Sequence, residues 1–121
     1  MFARKILKVN FTFSELNINI KTKESKNMLK FYSLYSGSSG NSLLVKTENT
    51  NILVDAGVSS KKIETALTNL EIDPSSLDGI LITHEHSDHV QGLGTFSKKF
   101  GIPVFVNQKT LDAMPKQKFK A

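Results

Sequence analysis

Gly79-Ile80-Leu81-Ile82-Thr83-His84-Glu85-His86-Ser87-Asp88-His89 decides the fold class of this 121-residue chain. Its first part is a short apolar run that reads as a buried strand from Ile80 to Thr83. The hexapeptide after it holds all 3 histidines of the sequence, with carboxylates set among them. Imidazole nitrogen and carboxylate oxygen are ligands that zinc, manganese and iron accept. Val90-Gln91-Gly92-Leu93 then opens a helix. Side chains alternate along extended backbone, so if His84 and His86 lie in such backbone they point to the same side. Asp88 and His89 fall at the turn and face a second point nearby, and the pattern reads as two adjacent metal sites. The helical zincin pattern fails, because the fourth residue after His84 is Asp88. A polar surface turn is the bland alternative, but such turns rarely gather every histidine of a chain.

His-x-His-x-Asp-His, preceded by an apolar strand and a threonine, resembles the second motif of the metallo-β-lactamase-fold superfamily. Asn51-Ile52-Leu53-Val54-Asp55-Ala56-Gly57 resembles its first, an apolar strand ending in Asp-x-Gly. The stretch Phe31-Tyr32-Ser33-Leu34-Tyr35-Ser36-Gly37-Ser38-Ser39-Gly40-Asn41-Ser42 is similar to the start of the YycJ/VicX-type branch, bacterial cytoplasmic proteins thought to act on nucleic acid. The resemblance runs from about Met28 to about Met114. It implies an α/β fold, the N-terminal half of an αβ/βα four-layer sandwich. It also implies two divalent metal ions, zinc or manganese, with iron as the alternative. His84 and His86 would bind the first ion, and Asp88 and His89 the second, with Asp88 as the catalytic residue. Asp55 would steady the ligand loop from outside the coordination sphere; its plainer reading is a turn former before Gly57. Glu85 and Ser87 occupy variable positions and are expected to face away.

The departures matter equally. The family pattern needs a further histidine, a bridging aspartate and a final histidine, yet no histidine follows His89. The only later acid, Asp112, falls in an expected helix from Gln108 to Met114, too soon to bridge. Each ion is left with two protein donors, whereas catalytic zinc sites usually have three and an open position. One half of such a sandwich would also leave an apolar sheet face uncovered. The expectation is therefore a truncated gene product, an incomplete gene model or one half of a split protein, completed by a C-terminal half in cis or in trans. Residues 1–27 form a basic extension of net charge +4, against +1 for the remaining 94 residues. Met28 is the expected start, with 28–121 a truncated domain and Pro115–Ala121 a basic tail. Within the extension a short strand from Leu16 to Ile20 is expected, and a nucleic-acid-binding arm is the functional alternative.

The remaining elements follow from pattern. Phe31 to Ser36, Leu43 to Lys46, Ile52 to Asp55 and Pro103 to Val106 read as strands. Gly37 to Asn41 has turn chemistry, since glycine and asparagine tolerate positive φ; it lacks the lysine and following helix of a phosphate-binding P-loop. Ile63, Ala66, Leu67 and Leu70 recur at helical spacing, with Ser59 or Ser60 as cap. Val90, Leu93, Phe96 and Phe100 predict one further helix, ended by Gly101. With no cysteine, disulfides and thiolate ligands are excluded. No apolar run suits a signal peptide or a membrane span, and a cytoplasmic setting with no membrane partner is expected.

Three functional readings follow. A metal-dependent hydrolase would cleave phosphodiesters of nucleic acid in an exonuclease-like reaction, by a metal-activated water. A catalytically incompetent fragment would only bind metal weakly. An iron-dependent redox member of the same fold would handle persulfides or oxygen.

Overall fold

β-Branched and aromatic residues bounded by glycine, proline and polar turns build the six strands of the described residues. A computed structural model of the chain describes residues 7–9 and 29–114. The strands are β1 (Leu7–Val9), β2 (Lys30–Tyr35), β3 (Ser42–Lys46), β4 (Asn51–Val54), β5 (Gly79–Leu81) and β6 (Val104–Val106). They form one mixed sheet of order β1-β6-β5-β4-β3-β2. Neighbours β2-β3-β4 pair antiparallel, and β4-β5-β6-β1 pair parallel. Each parallel step from β4 to β6 is made by a helical crossover, which places the fold among α/β architectures. Strand β1 lies inside the segment read as an extension, and its Leu7 pairs with Val104. The expected strand from Leu16 to Ile20 and the basic tail lie outside the described residues.

The helices are α1 (Ser60–Asn69), α2 (Ser87–Val90), α3 (Leu93–Phe100) and α4 (Gln108–Ala113). Helix α1 buries Ile63 and Leu67 while Leu70 stays exposed. Phe96 of α3 is fully buried, and Leu44, Leu53, Ile80, Val104 and Val106 supply the sheet side of the same core. Gly101 ends α3 in the left-handed conformation, as its sequence position predicts. Asp73 caps the 3-10 turn Pro74–Ser76, and the Ser75 amide holds its carboxyl below the usual range. Ser59 caps α1, its hydroxyl accepting from the Lys62 amide at 3.3 Å. Ser59→Ala is expected to cost about 1 kcal/mol, read as a lower urea midpoint at unchanged slope.

The expected single helix through Val90 and Leu93 is two. An unbroken helix would bond the Gly92 amide to the Asp88 carbonyl. That carbonyl instead accepts from the Asn41 amide, and the Gly92 amide donates to Ala56, both at 2.8 Å. Tertiary bonds thus replace one rung of the helical ladder and part α2 from α3.

The other face of the sheet has a different character. Register places Phe31, Val45, Ile52, Val54, Leu81 and Phe105 on it. Ile52 and Phe105 are buried, Val45, Val54 and Leu81 half-buried, and Phe31 is 61% exposed. No helix among the described residues is long and apolar enough to cross a membrane.

Candidate metal centre

Asp55 follows β4 at the end of the sheet and takes φ 65°, a left-handed conformation that few residues with side chains adopt. Such strain costs on the order of 1–3 kcal/mol and persists only where surroundings enforce it. Here they do. The buried carboxylate accepts the Thr83 amide on Oδ1 at 2.8 Å and the Thr83 hydroxyl on Oδ2 at 2.6 Å. His89 Nδ1 stands 2.8 Å from the same Oδ2.

These contacts assign the ring tautomers. Thr83 has one hydroxyl proton, and it goes to Asp55. Its oxygen, 3.1 Å from His84 Nδ1, can then only accept, so His84 carries its proton on Nδ1. His89 Nδ1 must likewise donate to the carboxylate. In the neutral form of each ring Nε2 then carries the lone pair, the form that binds a divalent ion.

The hexapeptide sits where β5 has ended and α2 begins. Ring centroids of His84 and His89 lie 4.7 Å apart, and those of His84 and His86 5.9 Å. Asp88 and His89 belong to the single turn of α2, with Asp88 Oδ2 3.7 Å from His89 Nε2. The chain therefore brings His84, His86, Asp88 and His89 to the C-terminal end of the central strands β4 and β5, where Asp55 bonds to His89. Among the described residues no three His, Asp or Glu side chains converge on one ion position. Glu85, expected to face away, has Oε2 3.7 Å from His86 Nε2; His86 is exposed and Glu85 half-buried, and such solvent-facing pairs contribute little. Asp112 lies on α4 and accepts from Gln108 at 2.7 Å.

Backbone bonds lock the three motif loops together. Besides the two bonds that divide α2 from α3, the Ala56 amide donates to the His89 carbonyl at 2.8 Å and the Gly57 amide to Asn41 at 2.9 Å. Gly57 is required by close approach: a Cβ there would run into the Asp88 carbonyl and the Asn41 amide. Sequence reasoning missed Thr83 and Asn41 as members of this arrangement. The position of Thr83 beside His84 was the available signal for the first. For Asn41 the signal was masked by its suitability for a turn.

The donor chemistry, free imidazole Nε2 atoms beside a carboxylate and no thiolate, fits a divalent ion of the zinc and manganese group. Comparison with known proteins extends this. The sequence model of the Metallo-beta-lactamase superfamily matches residues 35–120. Exodeoxyribonuclease WalJ of Streptococcus pneumoniae is 48% identical over 90 residues, covering 74% of this chain and 34% of that protein. Exodeoxyribonuclease YycJ of Bacillus anthracis is 48% identical over 86 residues, 71% of this chain and 33% of that protein. The chain thus spans about a third of the length of these curated relatives. Among solved structures, Rm3 metallo-beta-lactamase matches with a TM-score of 0.53 at 28% identity, over 61% of this chain and 28% of that one.

Proposed function

As this chain belongs to the metallo-beta-lactamase superfamily, we propose that it carries one half of the metal site of a hydrolase that cleaves phosphodiester bonds in DNA. The observation that carries the reading is the Asp55–Thr83 network, which leaves Nε2 of both His84 and His89 as lone pairs. The 48% identity to two exodeoxyribonucleases supports DNA as the substrate class.

His84 and His86 serve one ion, and Asp88 and His89 a second. Divalent ions held there would polarise the phosphoryl group and lower the pKa of a water molecule toward neutrality. Asp55 and Thr83 keep the imidazoles oriented and correctly protonated on Nδ1. Asp88 brings its carboxylate to the same point as His89 Nε2 and is the group this reading assigns to catalysis.

These residues offer each ion two donors, so the reading requires further ligands from a second half-domain, joined in cis or bound in trans. The sheet face bearing Phe31 and Val45 suits such a partner, because its cross-strand apolar residues are only partly covered.

The test is nucleotide release from linear DNA, with manganese or zinc, by the chain supplied with a C-terminal half from a relative. His84→Ala and His86→Ala are each expected to lower the rate by about 10²-fold, while Lys5→Ala leaves it within about twofold. Equal rates in all variants contradict the site assignment. Iron-dependent turnover of dioxygen or persulfide, with DNA untouched, would replace this reading with the redox one.

A further inference from the structure

We propose that Asn41 is a positioning residue for Asp88, tying the serine–glycine loop of residues 37–40 to the second ligand pair. The inference rests on the reading of Asp88 as a metal ligand and adds a residue that reading does not use.

The amide of Asn41 is used on both sides. Its Oδ1 accepts the Gly37 amide at 3.1 Å, and Nδ2 donates to the Gly37 carbonyl at 2.9 Å. The remaining Nδ2 hydrogen faces Asp88, with the carbonyl at 3.2 Å and carboxylate Oδ2 at 3.3 Å. Because Oδ1 is fixed by a donor, the amide cannot be turned round without opposing two N–H groups. Its orientation is therefore determined by the loop, and the proton offered to Asp88 is determined with it. The acceptor is the oxygen that lies 3.7 Å from His89 Nε2. A carboxylate oxygen has a second lone pair, so accepting from Asn41 leaves it able to serve an ion.

The backbone confirms why the loop has its composition. Gly37 and Gly40 take φ 132° and 153°, and a Cβ on Gly40 would strike the Gly57 carbonyl. Those conformations fold the loop back so that Asn41 meets Asp88 through its main chain and its side chain together. A serine-rich loop held this way is tied to the Asp88 carboxylate through the Asn41 amide.

The experiment is a cobalt titration of the 121-residue chain, followed by visible absorption and by NMR of the Asn41 side-chain amide and the His89 ring. Asn41→Ala is expected to weaken cobalt binding about tenfold or more and to alter the visible band, which reports ligand geometry. In the unsubstituted protein the Asn41 amide protons should shift together with the His89 ring as cobalt is added. That second readout stands even if Asn41→Ala fails to fold. Unchanged affinity and band in a folded Asn41→Ala, or Asn41 protons that stay still while His89 responds, overturns the proposal alone. Cobalt binding that is unaffected by Asp88→Ala and His89→Ala overturns the metal reading and this proposal with it.

Discussion

Gly57→Ala is expected to unfold the metal corner, lowering stability by about 3 kcal/mol or more. The added methyl has no room, since its neighbours are the Asp88 carbonyl and the Asn41 amide, both main-chain groups bonded to each other at 2.8 Å. A flexible side chain could swing aside, but here α2 or the 37–41 loop must move bodily. Any such movement also stretches the bonds from Ala56 to His89 and from Gly57 to Asn41. Gly101→Ala provides the contrast. That glycine has φ 65° with open space around it, so the cost is conformational only, about 1 kcal/mol. Urea unfolding of both variants, with hydrogen exchange at Asn41, Ala56 and Gly92, reads the difference. Equal losses for the two would show that the corner tolerates separation of its loops.

Asp55→Asn should keep the fold yet weaken divalent-ion binding by about 10–100-fold. The Thr83 amide can only donate, so the oxygen of the new amide must face it and the NH₂ must take the place of Oδ2. That NH₂ donates toward His89 Nδ1, which then accepts and leaves its proton on Nε2. Thr83 no longer has a carboxylate for its hydroxyl proton and can turn it to His84 Nδ1, moving the second imidazole the same way. One oxygen-to-nitrogen exchange thereby blocks two donor atoms. Imidazole nitrogen-15 shifts provide the check: Nε2 of His84 and His89 should change from unprotonated to protonated type. Unaltered tautomers with unaltered metal affinity would contradict the network as drawn here.

Much of this was legible in the sequence, for identifiable reasons. His84 to His89 announces itself because side-chain chemistry and two-residue alternation are local properties. The Ser59 cap and the Gly101 stop are local too, and the fold supplies both. What escaped was set by contacts distant in the chain. The break between α2 and α3 depends on Asn41 and Ala56, 47 and 36 positions before the groups they meet. Asp55 reads locally as a turn former before Gly57, but that Thr83 and His89 hold it at positive φ was not legible. The strand Leu7–Val9 was equally hidden, because three residues carry no periodicity from which pairing with Val104–Val106 could be read.

The central claim is that Nε2 of His84 and of His89 are metal donors, with Nδ1 reserved for Thr83 and Asp55. Anomalous diffraction at the zinc edge, from crystals of the chain grown with zinc, tests it most directly. Zinc is expected at about 2.0–2.1 Å from Nε2 of these histidines, with the Asp55 bond to His89 Nδ1 intact. Zinc on Nδ1 of either ring, or zinc bound only to residues outside His84 to His89, would contradict it.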